Sequence, residues 1–180
     1  MKKLFLIFSL FIIHFSLFAQ ADSIAFKKID SIVHKAPIAA INDFEGVFAP
    51  SEKQQLDSLV KSVEKELKTE VVVLTLDSLP VKEVDFDNTA LLLANGWRIG
   101  ATYEERGIVI VISKHLRRIR IQNSYGIEPV ISDTQTKAVI DSTMIPEFKQ
   151  GNYFVGMQNG IIALSNLIRT YNTNVGKEGK

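Results

Sequence analysis

The sequence has no cysteine and only 3 histidines in 180 residues. The first absence excludes disulfides, thiol nucleophiles, zinc–thiolate centres and lipidation through an N-terminal cysteine, so stability must come from packing. Of the histidines, His14 lies in an N-terminal apolar run, leaving His34 and His115 beyond it. His115 falls in an expected hairpin turn, where a solvated imidazole is the ordinary reading and a ligand role the minor one. The patterns G-x-S-x-G, G-x-x-x-x-G-K and H-E-x-x-H are also missing. Their absence removes the usual signatures of serine hydrolases, P-loop NTPases and zincins. Charge of either sign is not in excess: 21 Lys and Arg oppose 20 Asp and Glu, for a net +1. Such a balance leaves no electrostatic footprint for nucleic acid.

Met1-Lys2-Lys3 precedes an apolar stretch from Leu4 to Phe18, and Ala19-Gln20-Ala21 follows. A basic start, a short apolar core and an A-x-A-like site predict a signal peptide over residues 1–21, with Asp22 as the first mature residue. The alternative is a membrane anchor. The run is shorter than the roughly 20 residues needed to cross a bilayer, and Ser9, His14 and Ser16 weaken it further. Losing Lys2 and Lys3 leaves the mature chain near −1. The expected location is periplasmic or secreted, with no membrane span after cleavage. Gly156-x-x-x-Gly160 resembles a membrane-helix contact, but Gln158, Asn159, Asn166 and Arg169 share its helix. Such polar residues are costly in lipid, so close packing of a soluble helix on a sheet is expected instead.

Residues 22–40 read as a leader, with Ile24, Ile29, Ile32 and Val33 on a short helix ended by His34-Lys35-Ala36-Pro37. One domain is expected over 41–172, and a polar, disordered tail over 173–180. Ser51 and Gln54 fit a capping box, followed by Leu56, Leu59, Val60, Val63 and Leu67 at helical spacing. Glu70 to Leu76 and Gly107 to Ile112 are apolar on both faces and read as central strands. Between them, Phe86, Ala90, Leu93 and Trp97 form a helical stripe closed at Gly100. Arg118 to Gln122 alternates strictly and forms a hairpin with the strand before it. Arg117, Arg118 and Arg120 are read as a solvated strand face, with phosphate binding as the lesser alternative. A second capping box, Ser132 with Gln135, opens a helix through about Met144, and a last helix starts near Asn152. The whole predicts an α/β fold: a three-layer α/β/α sandwich with a mixed sheet of about four strands and helices on both faces. The core is expected to include Val72, Leu74, Trp97, Ile108, Ile110, Ile119 and Ile121.

Acidic residues cluster at element ends: Asp43 and Glu45 before the first helix, Glu104 and Glu105 before the second central strand, and Glu128 after a glycine turn. Asp133 has a plain role in the first turn of a helix, where the dipole favours an acid. Asp43 and Glu128 have no such obvious role. If these loops share one end of the sheet, their carboxylates form a hard oxygen site for calcium or magnesium. Solvated loop ends are the alternative.

Several segments together resemble the TPM domain family over about Ile41 to Leu167. They are Ile41-Asn42-Asp43 before Phe48-Ala49-Pro50-Ser51, the strand after Thr69-Glu70, Trp97-Arg98-Ile99-Gly100, Gly107-Ile108-Val109-Ile110-Val111, Tyr125-Gly126-Ile127-Glu128, Asp133, and Pro146-Glu147-Phe148-Lys149-Gln150-Gly151-Asn152-Tyr153. That family includes a thylakoid-lumen acid-phosphatase-like protein, a photosystem II repair protein, a receptor-accessory protein and many bacterial exported proteins. The resemblance implies an α/β/α sandwich outside the cytoplasm that binds divalent cations through acidic loops, with Asp43, Glu128 and Asp133 at matching positions. Two departures stand out. Glu105-Arg106-Gly107 replaces a common Asp-Asn-Gly, placing Arg106 where it would oppose a cation, and Ser124 stands where glycine is common. The expected metal set is Asp43, Glu105, Glu128 and Asp133. The expected function is a non-enzymatic, calcium-binding domain that assists or maintains membrane or envelope protein complexes. The alternatives are a weak metal-assisted acid phosphatase and an ion-free interaction module.

Overall fold

The computed structural model describes residues 39–76 and 86–178. The expected signal peptide over 1–21, and the leader as far as residue 38, lie outside the described residues. The elements are β1 (Ile41–Asp43), α1 (Pro50–Leu67), β2 (Glu70–Thr75), α2 (Phe86–Trp97), β3 (Gly107–Ser113), β4 (Arg118–Asn123), α3 (Asp133–Val139), α4 (Ile145–Lys149) and α5 (Tyr153–Glu178). A π-helical turn, Ile140–Met144, joins α3 to α4.

The strands lie in the order β1-β2-β3-β4. β1, β2 and β3 are parallel, and β4 runs antiparallel to β3. Alternation along the two central strands sends side chains into two cores. Val71, Val73, Ile108, Ile110 and Ile112 pack with α1 and α5. Val72, Leu74, Val109 and Val111 pack with Phe86, Ala90 and Leu93 of α2. Stiff β-branched side chains suit both faces of such a strand. The α/β/α sandwich with a mixed four-stranded sheet is the architecture expected from the pattern.

Several details differ from expectation. β1 carries no sequence period because it has only three residues, yet Ile41 is buried and pairs with Val73. α1 begins at Pro50 and not Ser51: the Ala49 N–H donates to Glu52 Oε2 at 2.8 Å, and proline suits a first helical position because its missing N–H would have no helical partner. Ile119 and Trp97 are only partly buried. Ile119 sits on the edge strand, and Trp97 ends its helix. Arg118 and Arg120 stay partly exposed, as expected of a solvated face, but they also make a specific contact. Both reach Asp87 of α2, at 3.0 and 4.0 Å. A Cβ on Gly156 would strike the Phe148 ring, and one on Gly160 the Met144 side chain. The small-residue stripe thus receives the π turn and α4, not the sheet. Finally, α5 continues to Glu178 through the stretch expected as tail. Residues 172–177 are exposed there, and extending a helix already anchored by packing costs little. Among the described residues, no helix is long and apolar enough to cross a membrane.

Candidate functional site

Strand register decides which acidic residues meet. Asp43 ends β1 level with Thr75 of β2, which in turn is level with Ile112 near the end of β3. Glu105 instead precedes Gly107 at the start of β3, and Glu128 follows Asn123, which pairs with Ile108. Because β1 and β3 are parallel, the loop after one and the loop before the other fall at opposite ends of the sheet. At about 3.3 Å per residue, this separates Asp43 from the other two by roughly 17 Å of strand. The expected convergence of all four acids at one end does not occur.

Asp43 has structural work of its own. Its Oδ1 accepts from the Val47 N–H at 2.9 Å and the Thr75 hydroxyl at 2.6 Å, and Oδ2 accepts from the Phe48 N–H at 2.9 Å. The carboxylate holds the β1–α1 loop in place and seats the buried Phe48. Glu45 acts similarly nearby, accepting from the Lys114 and His115 N–H groups at 2.8 and 3.2 Å. Asp133 is exposed in the first turn of α3, beside the Ser132 cap whose Oγ accepts from Gln135 N–H at 3.3 Å.

Glu105 and Glu128 both line one cleft of about 340 Å³ between α2 and the end of β4. Asn95, Arg98, Gln122 and Tyr125 share its walls. Tyr125 is 82 % exposed, an unusual setting for a tyrosine ring. Asp133 and Arg106 are not on this cleft. Arg106, next to Glu105 in the chain, has its Nε and Nη2 buried without a hydrogen-bond partner among the described residues.

The cleft is assembled by two loops tied together. Gly126 N–H donates to the Glu105 carbonyl at 2.8 Å. The Ser124 hydroxyl donates to that same carbonyl and accepts from Gly107 N–H at 2.6 Å. Ser124, at a departure from the family pattern, is thus the bridge between the loops. The sequence offered no sign of that role, since its partners are backbone groups distant along the chain.

Among the described residues, no group of three or more histidine, aspartate or glutamate side chains is placed to hold a metal ion. Calcium takes about six to eight oxygens. The Glu105–Glu128 pair alone supplies only part of such a shell, so the four-carboxylate site does not fit this fold.

A family model described as the TPM domain matches residues 41–167. Among solved structures, the chain is similar to the N-terminal domain of a protein from P. gingivalis, at 24% identity and a TM-score of 0.62, covering 71% of this chain and 80% of that one. It is also similar to the BA42 protein of the psychrophilic bacterium Bizionia argentinensis, at 20% identity and a TM-score of 0.62, covering 71% and 86%. A third likeness is to the N-terminal domain of a Corynebacterium glutamicum protein, at 12% identity and a TM-score of 0.55, covering 73% and 83%. At such identities these likenesses bear on fold alone. No curated protein matches the chain.

Proposed function

The chain belongs to the TPM domain family, and from that premise we propose that it is an exported, non-enzymatic binding domain serving membrane or envelope protein complexes, with the Glu105–Glu128 cleft as its working end. The observation that carries this reading is the pairing, on one cleft, of two carboxylates with a tyrosine 82 % exposed. Tyrosine is among the residues enriched at binding surfaces, so a ring this exposed is a natural contact point for a partner. The basic, apolar, A-x-A-like start of the chain supports export. A divalent cation at this end is held by Glu105 and Glu128, with its shell completed by water. Two carboxylates completed by water form a hard-oxygen site that takes calcium, with its flexible shell, or magnesium, which keeps several of its waters.

The test is a calcium titration followed by amide resonances. Shifts centred on residues 105 and 124–128, abolished in Glu105→Gln with Glu128→Gln and kept in Asp43→Asn, are expected. Absence of any calcium-dependent shift in this cleft removes the cation from the reading and leaves an ion-free interaction module.

A further inference from the structure

We propose that the domain carries a second ligand site, for a small ring-bearing anion, in the pocket between the β3–β4 hairpin and α4. The pocket holds about 630 Å³, within the range of about 300–1,000 Å³ typical of small-molecule sites. It opens at the end of the sheet opposite the Glu105–Glu128 cleft and on the other face, since Ile112 lines one and Val109 the other. It is therefore independent of the function proposed above.

Three features point to the ligand. The first is unpaired positive charge. Lys114, Arg117 and Lys149 line the pocket, and no carboxylate lies on its walls among the described residues. The ion pairs of the described residues engage Lys61, Arg118, Arg120, Lys137 and Arg169, leaving those three cations without an acid. Glu45, the acid that reaches this hairpin, is taken up by the Lys114 and His115 N–H groups.

The second feature is a flat aromatic wall. Phe148 and Tyr153 stack with centroids 5.0 Å apart and an interplanar angle of 25°. Lys114 Nζ stands 5.5 Å from the Tyr153 centroid. A planar apolar body can lie against these rings while its charged group meets the ammonium beside them. The third feature is the start of α5. Gly151 and Tyr153 border the pocket, and the positive end of a 26-residue helix there adds to the attraction for an anion. Cations, rings and helix start together select a compact anion carrying a ring: an aryl phosphate or an aryl carboxylate.

The experiment is titration of the full chain with phenyl phosphate, benzoate, inorganic phosphate and phenol, read by calorimetry and amide resonances. The ring-bearing anions are expected to shift the amides of Lys149, Gly151, Tyr153 and the hairpin, and to bind more tightly than inorganic phosphate or phenol. Comparison of phenyl phosphate with benzoate identifies which head group the site takes. Arg117→Gln combined with Lys149→Gln should weaken binding by about tenfold or more. Rising salt should weaken it as well. If the double variant fails to fold, the single exposed change Lys149→Glu carries the same prediction. Equal binding of inorganic phosphate or phenol, unchanged affinity in the charge variants, or shifts confined to other surfaces would overturn the proposal.

Discussion

The backbone N–H of Gly126 donates to the carbonyl of Glu105 at 2.8 Å, and this contact locks together the two loops that carry the paired carboxylates of the cleft. Gly126 approaches so closely that a Cβ added to it would overlap the carbonyl oxygens of Glu104 and Glu105. Those atoms are backbone, in a loop where Glu104 and Glu105 both adopt positive φ, 55° and 60°. The loop has little freedom to withdraw.

Gly126→Ala should therefore destabilise the domain by about 1–3 kcal/mol, as overpacking does, and should splay the cleft. Amide shifts at residues 104–107 and 124–128, read together with a urea melt, check it. A variant of native stability with unshifted loops would mean that the close approach is not maintained in solution.

The central strand makes a simpler prediction. Ile110 is fully buried between β2 and β4 and faces the α1/α5 core. Ile110→Ala should cost about 2–5 kcal/mol by removing apolar contact and leaving a cavity. Chemical denaturation measures it, and a loss well below 1 kcal/mol would place that side chain outside a packed core.

Asp43 separates stability from binding. Its two oxygens receive Val47, Phe48 and Thr75, so Asp43→Ala strands donors in a partly buried loop. A loss of about 1–3 kcal/mol is expected, with no effect on any ligand of the Glu105–Glu128 cleft at the far end of the sheet. Loss of calcium-dependent shifts in the cleft on replacing Asp43 would contradict the register argument.

These outcomes indicate which properties local sequence carries. Apolar runs such as Val71-Val72-Val73-Leu74 and Ile108-Val109-Ile110-Val111 announce central strands, because burial on both faces leaves no other pattern. Ser132 and Gln135 announce a helix start, because a capping box is completed within four residues. Convergence of loops is another matter. Asp43 and Glu105 look equivalent along the chain, each beside an element end, and only the parallel pairing of β1, β2 and β3 puts them at opposite ends. The short β1 hid that pairing. The basic pocket is half legible: Arg117 and Arg118 both line it and stand together in the sequence, although Arg118 shares its charge with Asp87. Lys149 and Tyr153, which complete it, come from the end of α4 and the start of α5, more than thirty residues further along the chain.

The contact between α1 and α5 makes the domain sensitive to acid in a predictable direction. Arg169 Nε and Nη2 donate to the two oxygens of Glu66, each at 2.7 Å. The hydrogen bond from Arg169, reinforced by its charge, holds the Glu66 carboxyl below its ordinary value of 4.5. A carboxylate whose folded value is depressed contributes stability that is present above its unfolded value and is lost as pH falls through the folded one. Glu66→Gln should therefore lower the urea midpoint most near neutral pH, with the gap to the parent closing as pH is taken below 4.5. Both side chains are substantially exposed, so the gap should be small and should shrink in high salt. A gap that is constant from neutral pH to strong acid would mean that Glu66 acts through packing of its stem on α5 and not through its charge.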